Sequence, residues 1–292
     1  MHHDSLFPSV QSAMVALQKA AKGPGQPLAI LTDCGETARL CVRLLCNVTE
    51  TPFGDVPRTH GGAKRYSVYE SGGHLSRPVL DGLFVRDPDR FRTLWDDSVR
   101  AASAAGRRRS AKWDATFYTA VMALACVYDL HARDSRKTPA TFFEIAMSAL
   151  LGAVTGWATR KHIPLSVPGA KVTTDLVLLN PDPAGISIAV PLKITTRERI
   201  YQVLCHQRIL DQDPATKGRY RTVFIGVSEM QRDRRSGVKE ICVPGQILVY
   251  HRYVAEVQGF YYLDPPEGYL GQEFTTGALS DFLTQALPPL MS

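Results

Sequence analysis

Three side chains in the middle of the sequence have the types and spacing that phosphate-ester hydrolysis uses. Glu144 lies in a segment with helical apolar spacing, Asp175 lies early in an apolar strand, and Lys193 ends the next apolar run. If the two strands pair as an antiparallel hairpin, the start of the first lies beside the end of the second. Carboxylates hold Mg²⁺, and a lysine beside them can orient or deprotonate water. The spacing therefore predicts a site in which Asp175 and Glu144 bind Mg²⁺ and Lys193 is catalytic.

Each of these residues also has a purely structural interpretation. Thr141 and Glu144 have the spacing of a helix capping box. An aspartate early in a strand is often a turn or edge residue, and a lysine that ends a strand can simply extend into solvent. For each residue alone both interpretations stay open, and the joint spacing favours the catalytic one.

A short charged motif follows the lysine at the start of a predicted helix. Arg197, Glu198 and Arg199 are consecutive there. Arginine donates to O6 and N7 of guanine, and glutamate accepts from N4 of cytosine. The motif predicts a reader of G·C pairs, and the alternative is a solvated helix start with local ion pairs.

The segments around these residues are predicted from apolar spacing and from turn residues. Helices are predicted over 8–21, 36–46, 86–105, 113–132, 138–161 and 196–211, strands over 172–179, 186–193 and 222–227, a strand or a short helix over 247–253, and a long irregular segment over 51–77. Asn180 to Gly185 is predicted to be the turn of a hairpin. The alternation after residue 136 indicates an α/β core over 136–292, and 1–135 is predicted to be a mainly helical subdomain or an elaboration of that core.

The charge distribution is compatible with a polyanionic partner. The net charge is +6, and basic residues concentrate in Arg107–Arg109 with Lys112 and between Lys217 and Arg235. Such clusters suit phosphate contacts, and solvated loops have the same composition. Both interpretations stay open for each cluster.

At these residues the sequence resembles the PD-(D/E)XK nuclease superfamily, and within it the type II restriction endonucleases that read CCGG or CC-N-GG. The match rests on Asp175, on Lys193 and on the Arg-Glu-Arg motif at 197–199, with Glu144 as the upstream helical acid. It covers roughly residues 138–230. The resemblance implies a restriction-endonuclease-like core with a central mixed β-sheet flanked by helices.

Two positions depart from the pattern of that superfamily. Pro191 stands two residues before the lysine, where an acid is usual. The CCGG group instead has a glutamate about 13–14 residues after the lysine, where this chain has His206 and Gln207. The second metal-binding group is therefore open among Glu144, Glu198, Asp211 and Gln207.

The expected function is Mg²⁺-dependent cleavage of double-stranded DNA at a GC-containing, palindromic site by a homodimer. Two rivals stay open: a catalytically degenerate DNA-binding protein of the same fold, and a repair or structure-specific nuclease. The chain has no G-x-S-x-G and no G-x-x-x-x-G-K-[ST] motif, which argues against a serine hydrolase and a P-loop enzyme.

The expected compartment is the cytoplasm, without membrane association. The start of the sequence has no basic region followed by an apolar stretch, and no uninterrupted apolar run approaches the roughly 18–20 residues of a membrane span. Six cysteines lack the spacing of a zinc site or a disulfide framework. They are predicted to be buried, reduced thiols.

Overall fold

The computed structural model describes residues 6–23, 25–58, 62–103, 112–135, 137–195, 200–233 and 237–291. The contacts divide the chain into a first unit, Met1–Val154 with Met230–Glu240, and a second unit, Thr155–Glu229 with Ile241–Ser292. The sequence analysis placed a single boundary at residue 135. The contacts instead assign residues 138–154 and 230–240 to the first unit.

Helices and strands alternate along both units. The helices are α1 (Leu6–Ala20), α2 (Pro27–Leu45), α3 (Pro88–Ala102), α4 (Trp113–His131), α5 (Thr138–Thr155), α6 (Ile200–Gln212) and α7 (Pro244–Tyr253), with short helical turns at Glu267–Tyr269, Leu279–Asp281, Phe282–Ala286 and Leu287–Met291. The strands are β1 (Thr49–Pro57), β2 (Ala63–Ser71), β3 (His74–Leu75), β4 (Val79–Leu80), β5 (Ala158–Pro164), β6 (Lys171–Leu179), β7 (Ser187–Val190), β8 (Leu192–Lys193), β9 (Tyr220–Gly226), β10 (Met230–Asp233), β11 (Gly237–Glu240), β12 (Gly259–Tyr262) and β13 (Thr276–Ala278).

The first unit packs its helices around α4, whose side chains are nearly all buried. α3 begins at a capping residue: Asp87 accepts the N–H groups of Asp89 and Arg90 at 2.9 and 2.7 Å, and Pro88 occupies the first helical position. α5 is long and apolar enough to cross a membrane by length and composition, but 56% of it is buried inside the protein. That burial is typical of a core helix.

Two sequence-based expectations were wrong in their secondary structure. The segment 51–77 is not irregular, because β1 and β2 pair antiparallel and bury Tyr66 and Val68. Its glycine, proline and serine content is typical of loops, and β2 buries four consecutive residues instead of alternating. The helix predicted to reach residue 161 ends earlier, because Gly156 adopts φ +70°, a conformation that ends helices, and β5 follows.

The second unit is built on a mixed β-sheet. Its strands lie in the order β13-β12-β9-β7-β6-β5, with β8 also beside β9. β5, β6 and β7 pair antiparallel, and β7, β9, β12 and β13 pair parallel. α6 packs on β6 and β9 and contacts α7. The predicted α/β fold with a central mixed sheet flanked by helices is confirmed.

The loop over 180–186 joins β6 to β7, where the sequence predicted the connection of a hairpin. Asn180 Oδ1 accepts the N–H of Asp182, and Asp182 Oδ1 accepts that of Ala184, both over 2.9 Å. At Gly185 a Cβ atom would lie 2.3 Å from Asn180 Nδ2, so only glycine fits beside that side chain. The turn fixes the register in which Leu176 pairs with Val190.

Candidate active site

Asp175 and Lys193 form an ion pair at one end of the sheet. Lys193 Nζ donates to Asp175 Oδ2 over 2.6 Å, and the two side chains are 21% and 20% exposed. The same oxygen accepts the backbone N–H of Leu192 over 2.8 Å. No contact of Asp175 Oδ1 is found among the described residues, so this oxygen remains open to a further ligand. The hairpin geometry predicted for this pair is therefore present.

Pro191 explains why the Asp175 carboxylate can accept the backbone N–H of Leu192, which lies outside its own strand. Leu176 pairs with Val190, so the next antiparallel pair in register would join Asp175 to Pro191. Proline has no N–H to donate, and the ladder between β6 and β7 ends there. β8 continues beside β9 alone, where Lys193 pairs with Gly226. The Asp175 carboxylate takes the Leu192 N–H that has no partner strand on that side.

An irregularity in β6 also sets the direction of Asp175. Arg160 pairs with Val177 and His162 with Thr173, so three residues of β6 lie opposite Lys161 of β5. Asp175 is the middle one of the three. Bulges of this kind bend a strand and re-aim a side chain, and they are common next to active sites.

His206 is a third member of this site that the sequence analysis did not choose. It lies on α6 between Val203, which packs against the β9 and β12 core, and Leu210, which packs against β6 and β7. Burial lowers the pKa of the His206 imidazole, the positive charge of Lys193 lowers this pKa further, and Asp175 opposes both effects. Both charged side chains therefore act electrostatically on this imidazole. Its distance of 13 residues from the lysine was the available signal.

The neighbouring candidates on α6 are engaged elsewhere. Gln207 Nε2 donates to Asp211 Oδ1 over 2.8 Å and to the Tyr220 carbonyl over 3.4 Å. Gln207 Oε1 is buried and has no hydrogen-bond partner in the described part of the chain. Neither Gln207 nor Asp211 has a recorded contact with Asp175 or Lys193 in that part of the chain.

Glu144 lies on α5 in the first unit and is half-buried. Asp175, Lys193 and His206 all lie in the second unit. The expectation that Glu144 joins Asp175 at a metal ion stays a prediction.

The predicted base-reading motif, Arg197, Glu198 and Arg199, lies outside the described residues, as do Arg107–Arg109, Arg234 and Arg235. Arg77, at the end of the segment 51–77, is part of the first unit's interior, where its Nε and Nη2 donate to Asp129 over 2.8 and 2.9 Å. A guanidinium with both donors committed to one carboxylate is a structural group.

The donor set at Asp175 suits a metal that needs few protein ligands. Over the residues that the structure describes, no group of three or more His, Cys, Asp or Glu side chains could hold a metal ion. Mg²⁺ usually keeps several waters and is bound through one or two carboxylates together with substrate phosphates. One open carboxylate oxygen beside a lysine and an imidazole fits that ion, and does not fit an ion that requires a closed protein cage.

Comparison with known proteins gives one extensive match. The crystal structure of the type IIP restriction endonuclease Kpn2I is similar over 96% of this chain and 97% of its own, with a TM-score of 0.82 and 30% sequence identity. A complex of the restriction endonuclease PspGI with its substrate DNA has a TM-score of 0.38 and 13% identity over 67% of this chain and 80% of its own. No model of a known protein family matches the chain, and no curated protein matches it by sequence.

Proposed function

The chain belongs to the type II restriction endonucleases, and from this premise we propose that it hydrolyses double-stranded DNA with Mg²⁺ at a specific, GC-containing, palindromic site. The observation that carries the proposal is the pair of Asp175 and Lys193, joined over 2.6 Å at the end of the sheet. A carboxylate can hold a metal ion that polarises the phosphate, and an ammonium group beside it can compensate the charge that develops on the phosphate oxygens.

Asp175 and Lys193 have different roles in the proposed reaction. Asp175 is the carboxylate that would hold Mg²⁺, and the Leu192 N–H keeps that carboxylate in place. When bound, the metal supplies Lewis-acid polarisation of the phosphate and a more acidic water. Lys193, as an ammonium group, would orient the attacking water and compensate the charge that develops on the phosphate oxygens.

A second group at the metal remains to be assigned, and two residues have separate support. Glu144 is the carboxylate that the sequence spacing predicts. His206 occupies one of the two positions where the CCGG group has a glutamate, and the charges of Lys193 and Asp175 both act on its pKa. An imidazole is neutral and nitrogen-based, so a site with His206 accepts Mn²⁺, Co²⁺ or Zn²⁺ more readily than a site with two carboxylates.

Sequence recognition is proposed for Arg197, Glu198 and Arg199, which precede α6. Arginine bound to guanine and glutamate bound to cytosine would give a G·C preference. The two halves of a palindromic site are identical, and each half would be read by one of two identical subunits. The proposed enzyme is therefore a homodimer. Replacing Arg197 or Arg199 by alanine is then expected to weaken binding to the specific duplex by about 1–3 kcal/mol and to leave binding to unrelated duplex nearly unchanged.

The direct test is incubation of the protein with plasmid DNA and Mg²⁺. Discrete fragments that map to one short palindrome are expected, and EDTA should abolish them. The Lys193→Ala protein should bind the same duplex and not cut it. The matched control is Lys171→Ala, an exposed lysine on β6. Cleavage by Lys193→Ala at the rate of the parent protein would contradict the proposal.

A second candidate function is specific DNA binding without cleavage. Pro191 occupies one position where this kind of enzyme usually keeps its second acid, His206 and Gln207 occupy the other, and the missing acids favour this alternative. It predicts a specific gel shift with Mg²⁺, Mn²⁺ or Co²⁺ and intact DNA in all three. Cleavage with any of these ions excludes it. Preferential cutting of branched or damaged DNA would instead indicate a repair or structure-specific nuclease.

A further inference from the structure

Two segments that are far apart in the sequence come together in the first unit. β10 and β11 pair antiparallel with each other, and β11 lies against β1. Gly237 of β11 adopts φ +78°, and a Cβ atom at this position would lie 2.0 Å from the carbonyl oxygen of Phe53 on β1. Glycine is therefore required here, because no other residue permits the two backbones to approach so closely.

The exposed charges around this contact are mostly positive. Within residues 53–58, 63–66, 230–233 and 237–240, the exposed charged side chains are Arg58, Arg65, Arg232, Lys239 and Asp55. They give a local excess of +3, and the half-buried Lys64, Asp233 and Glu240 lower it to +2. A concentration of positive charge on one surface attracts the phosphates of nucleic acids. We call this surface the β1–β11 face and define it by Arg58, Arg65, Arg232 and Lys239.

The four basic residues flank β1. Arg65 on β2 is paired with Asp55 of β1, and Arg58 comes directly after the last residue of β1. Lys239 and Arg232 belong to the strand pair that contacts β1. β1 has nine residues, which span roughly 30 Å at about 3.3 Å per residue. The phosphates of one DNA strand repeat every roughly 3.4 Å along the helix axis, so basic residues along a strand of this length can contact several of them.

We propose that the β1–β11 face binds the phosphate backbone of duplex DNA outside the base pairs that are cut. The face belongs to the first unit, whereas Asp175 and Lys193 belong to the second. Phosphate contacts fix the position of a protein on a duplex and carry no sequence information. The face therefore adds affinity for any duplex and leaves the choice of site to other residues. The proposal rests on the proposed function, which makes duplex DNA the substrate.

A short piece of chain connects this face to the catalytic strands. β10 begins four residues after Gly226, and Gly226 pairs with Lys193. Within the connection, the backbone N–H of Ser228 donates to the carbonyl of Ile194 over 3.2 Å. The connection is therefore held against the segment that follows Lys193. A backbone contact made through β10 would help to orient the bound duplex for the reaction.

The primary test is fluorescence anisotropy of a labelled duplex of about 30 base pairs with an arbitrary sequence, titrated with the full chain at several salt concentrations without divalent metal. Arg232→Gln with Lys239→Gln removes two positive charges. The slope of log K against log salt concentration should become shallower by about 1.8. Between roughly 50 and 200 mM salt, the parent should therefore lose about 12-fold more affinity than this double variant.

The matched control is Lys19→Gln with Lys22→Gln, which changes the net charge equally at two exposed positions at the end of α1. Its slope should equal that of the parent. Adding Arg65→Gln to the double variant tests whether β2 shares the face, and should make the slope shallower by a further amount of about 0.9. With protein in excess over plasmid and saturating, single-turnover cleavage should be the same for parent and double variant, because the face acts on binding alone.

The results separate this inference from the proposed function. A parent that cuts plasmid, with a salt slope that the double variant does not change, overturns the β1–β11 face and leaves the nuclease standing. A slope that changes equally in the α1 control also overturns the face, since net charge alone then explains the effect. A parent that binds duplex through this face and cuts no DNA supports the face and rejects the nuclease. A parent that binds no duplex at low salt rejects both.

Discussion

Asp175 and Leu192 are joined by one hydrogen bond, 2.8 Å from the backbone N–H to Oδ2, at the point where Pro191 ends the ladder between β6 and β7. The carboxylate thus does two things at once. It satisfies a backbone donor that the interrupted sheet leaves over, and it balances the charge of Lys193. Substitutions that remove only the charge, or the charge and the acceptor together, can separate these effects.

Asp175→Asn keeps an oxygen that can accept the Leu192 N–H but has no charge. Binding of Mn²⁺, measured by calorimetry, and cleavage of plasmid should both be lost. Asp175→Ala should in addition lower the free energy of unfolding, by about 1–3 kcal/mol relative to Asp175→Asn, because the Leu192 N–H loses its acceptor. Asp96→Asn and Asp96→Ala on α3 provide the matched comparison. Equal stability of the two Asp175 variants would show that the hydrogen bond contributes nothing.

Lys193→Met keeps most of the side-chain length and removes the ammonium group. Cleavage should fall by about 10²–10³-fold, the usual effect of losing one electrostatic stabiliser at a reacting group. Binding of Mn²⁺ should persist, because Asp175 keeps its charge and loses a competing cation. Single-turnover cleavage and calorimetry are the measurements. A variant that loses metal binding but keeps cleavage would reverse the roles assigned to the pair.

His206 gives a prediction about stability and pH. Its pKa is lowered in the folded protein, by burial first and by Lys193 second, so the unfolded chain binds its proton more readily below roughly pH 6.5. The stability of the parent relative to His206→Asn should therefore decrease as pH falls from about 7.5 to 5.5, and should be level above that window. Chemical denaturation at several pH values measures the difference, with His162→Asn as the exposed comparison. A relative stability that rises toward low pH would contradict the assignment.

Arg77 and Asp129 should matter for folding and not for DNA. Their side chains are only 28% and 27% exposed, and Arg77 donates to Asp129 through its backbone N–H as well as its guanidinium. Asp129→Asn is expected to lower the free energy of unfolding by about 3 kcal/mol, since it leaves a largely buried arginine unpaired. Asp96→Asn, which breaks an exposed pair with Arg92, should cost less than about 1 kcal/mol. At a temperature at which all three are folded, the parent protein, Asp129→Asn and Asp96→Asn should have the same DNA affinity and the same dependence of that affinity on salt.

Gly226 is required by the ring of Tyr262. A Cβ atom at Gly226 would lie 2.5 Å from Tyr262 Cε1, in a core where side chains have little room to move. Gly226→Ala should destabilise the protein by about 1–3 kcal/mol. Because Gly226 pairs with Lys193, cleavage should decline as well. Gly245→Ala on α7, where a Cβ meets nothing within 4 Å, is the control, and it should be neutral or slightly stabilising.

The hairpin that carries Asp175 and Lys193 could be predicted because its information is local. Two apolar runs with a turn between them fix the register, and the register brings the two residues together. Lys193 alone left a structural role open, and its spacing from Asp175 favoured the catalytic one. The same local signals gave the approximate bounds of most helices, including α3 and α4.

Other features depend on partners that are distant in the chain. β1 and β2 pair across a segment whose composition is typical of loops, and only their pairing makes them strands. His206 gains its role from its position on a helix that packs across the sheet, which spacing alone did not distinguish from Gln207. The cysteines were predicted to be buried, which holds for Cys34, Cys41 and Cys126 and not for Cys46 and Cys205. Whether a cysteine in an apolar segment is exposed depends on which elements pack against it in the tertiary structure.

The turn between β6 and β7 has a kinetic consequence. Asp175 and Lys193 are 18 positions apart, and one short loop has to close before they meet. Contacts of short sequence separation form early because little loop entropy is lost. The central ion pair should therefore be present in the folding transition state, with φ-values near 1 for substitutions in the turn, while the parallel strands β9, β12 and β13 join later.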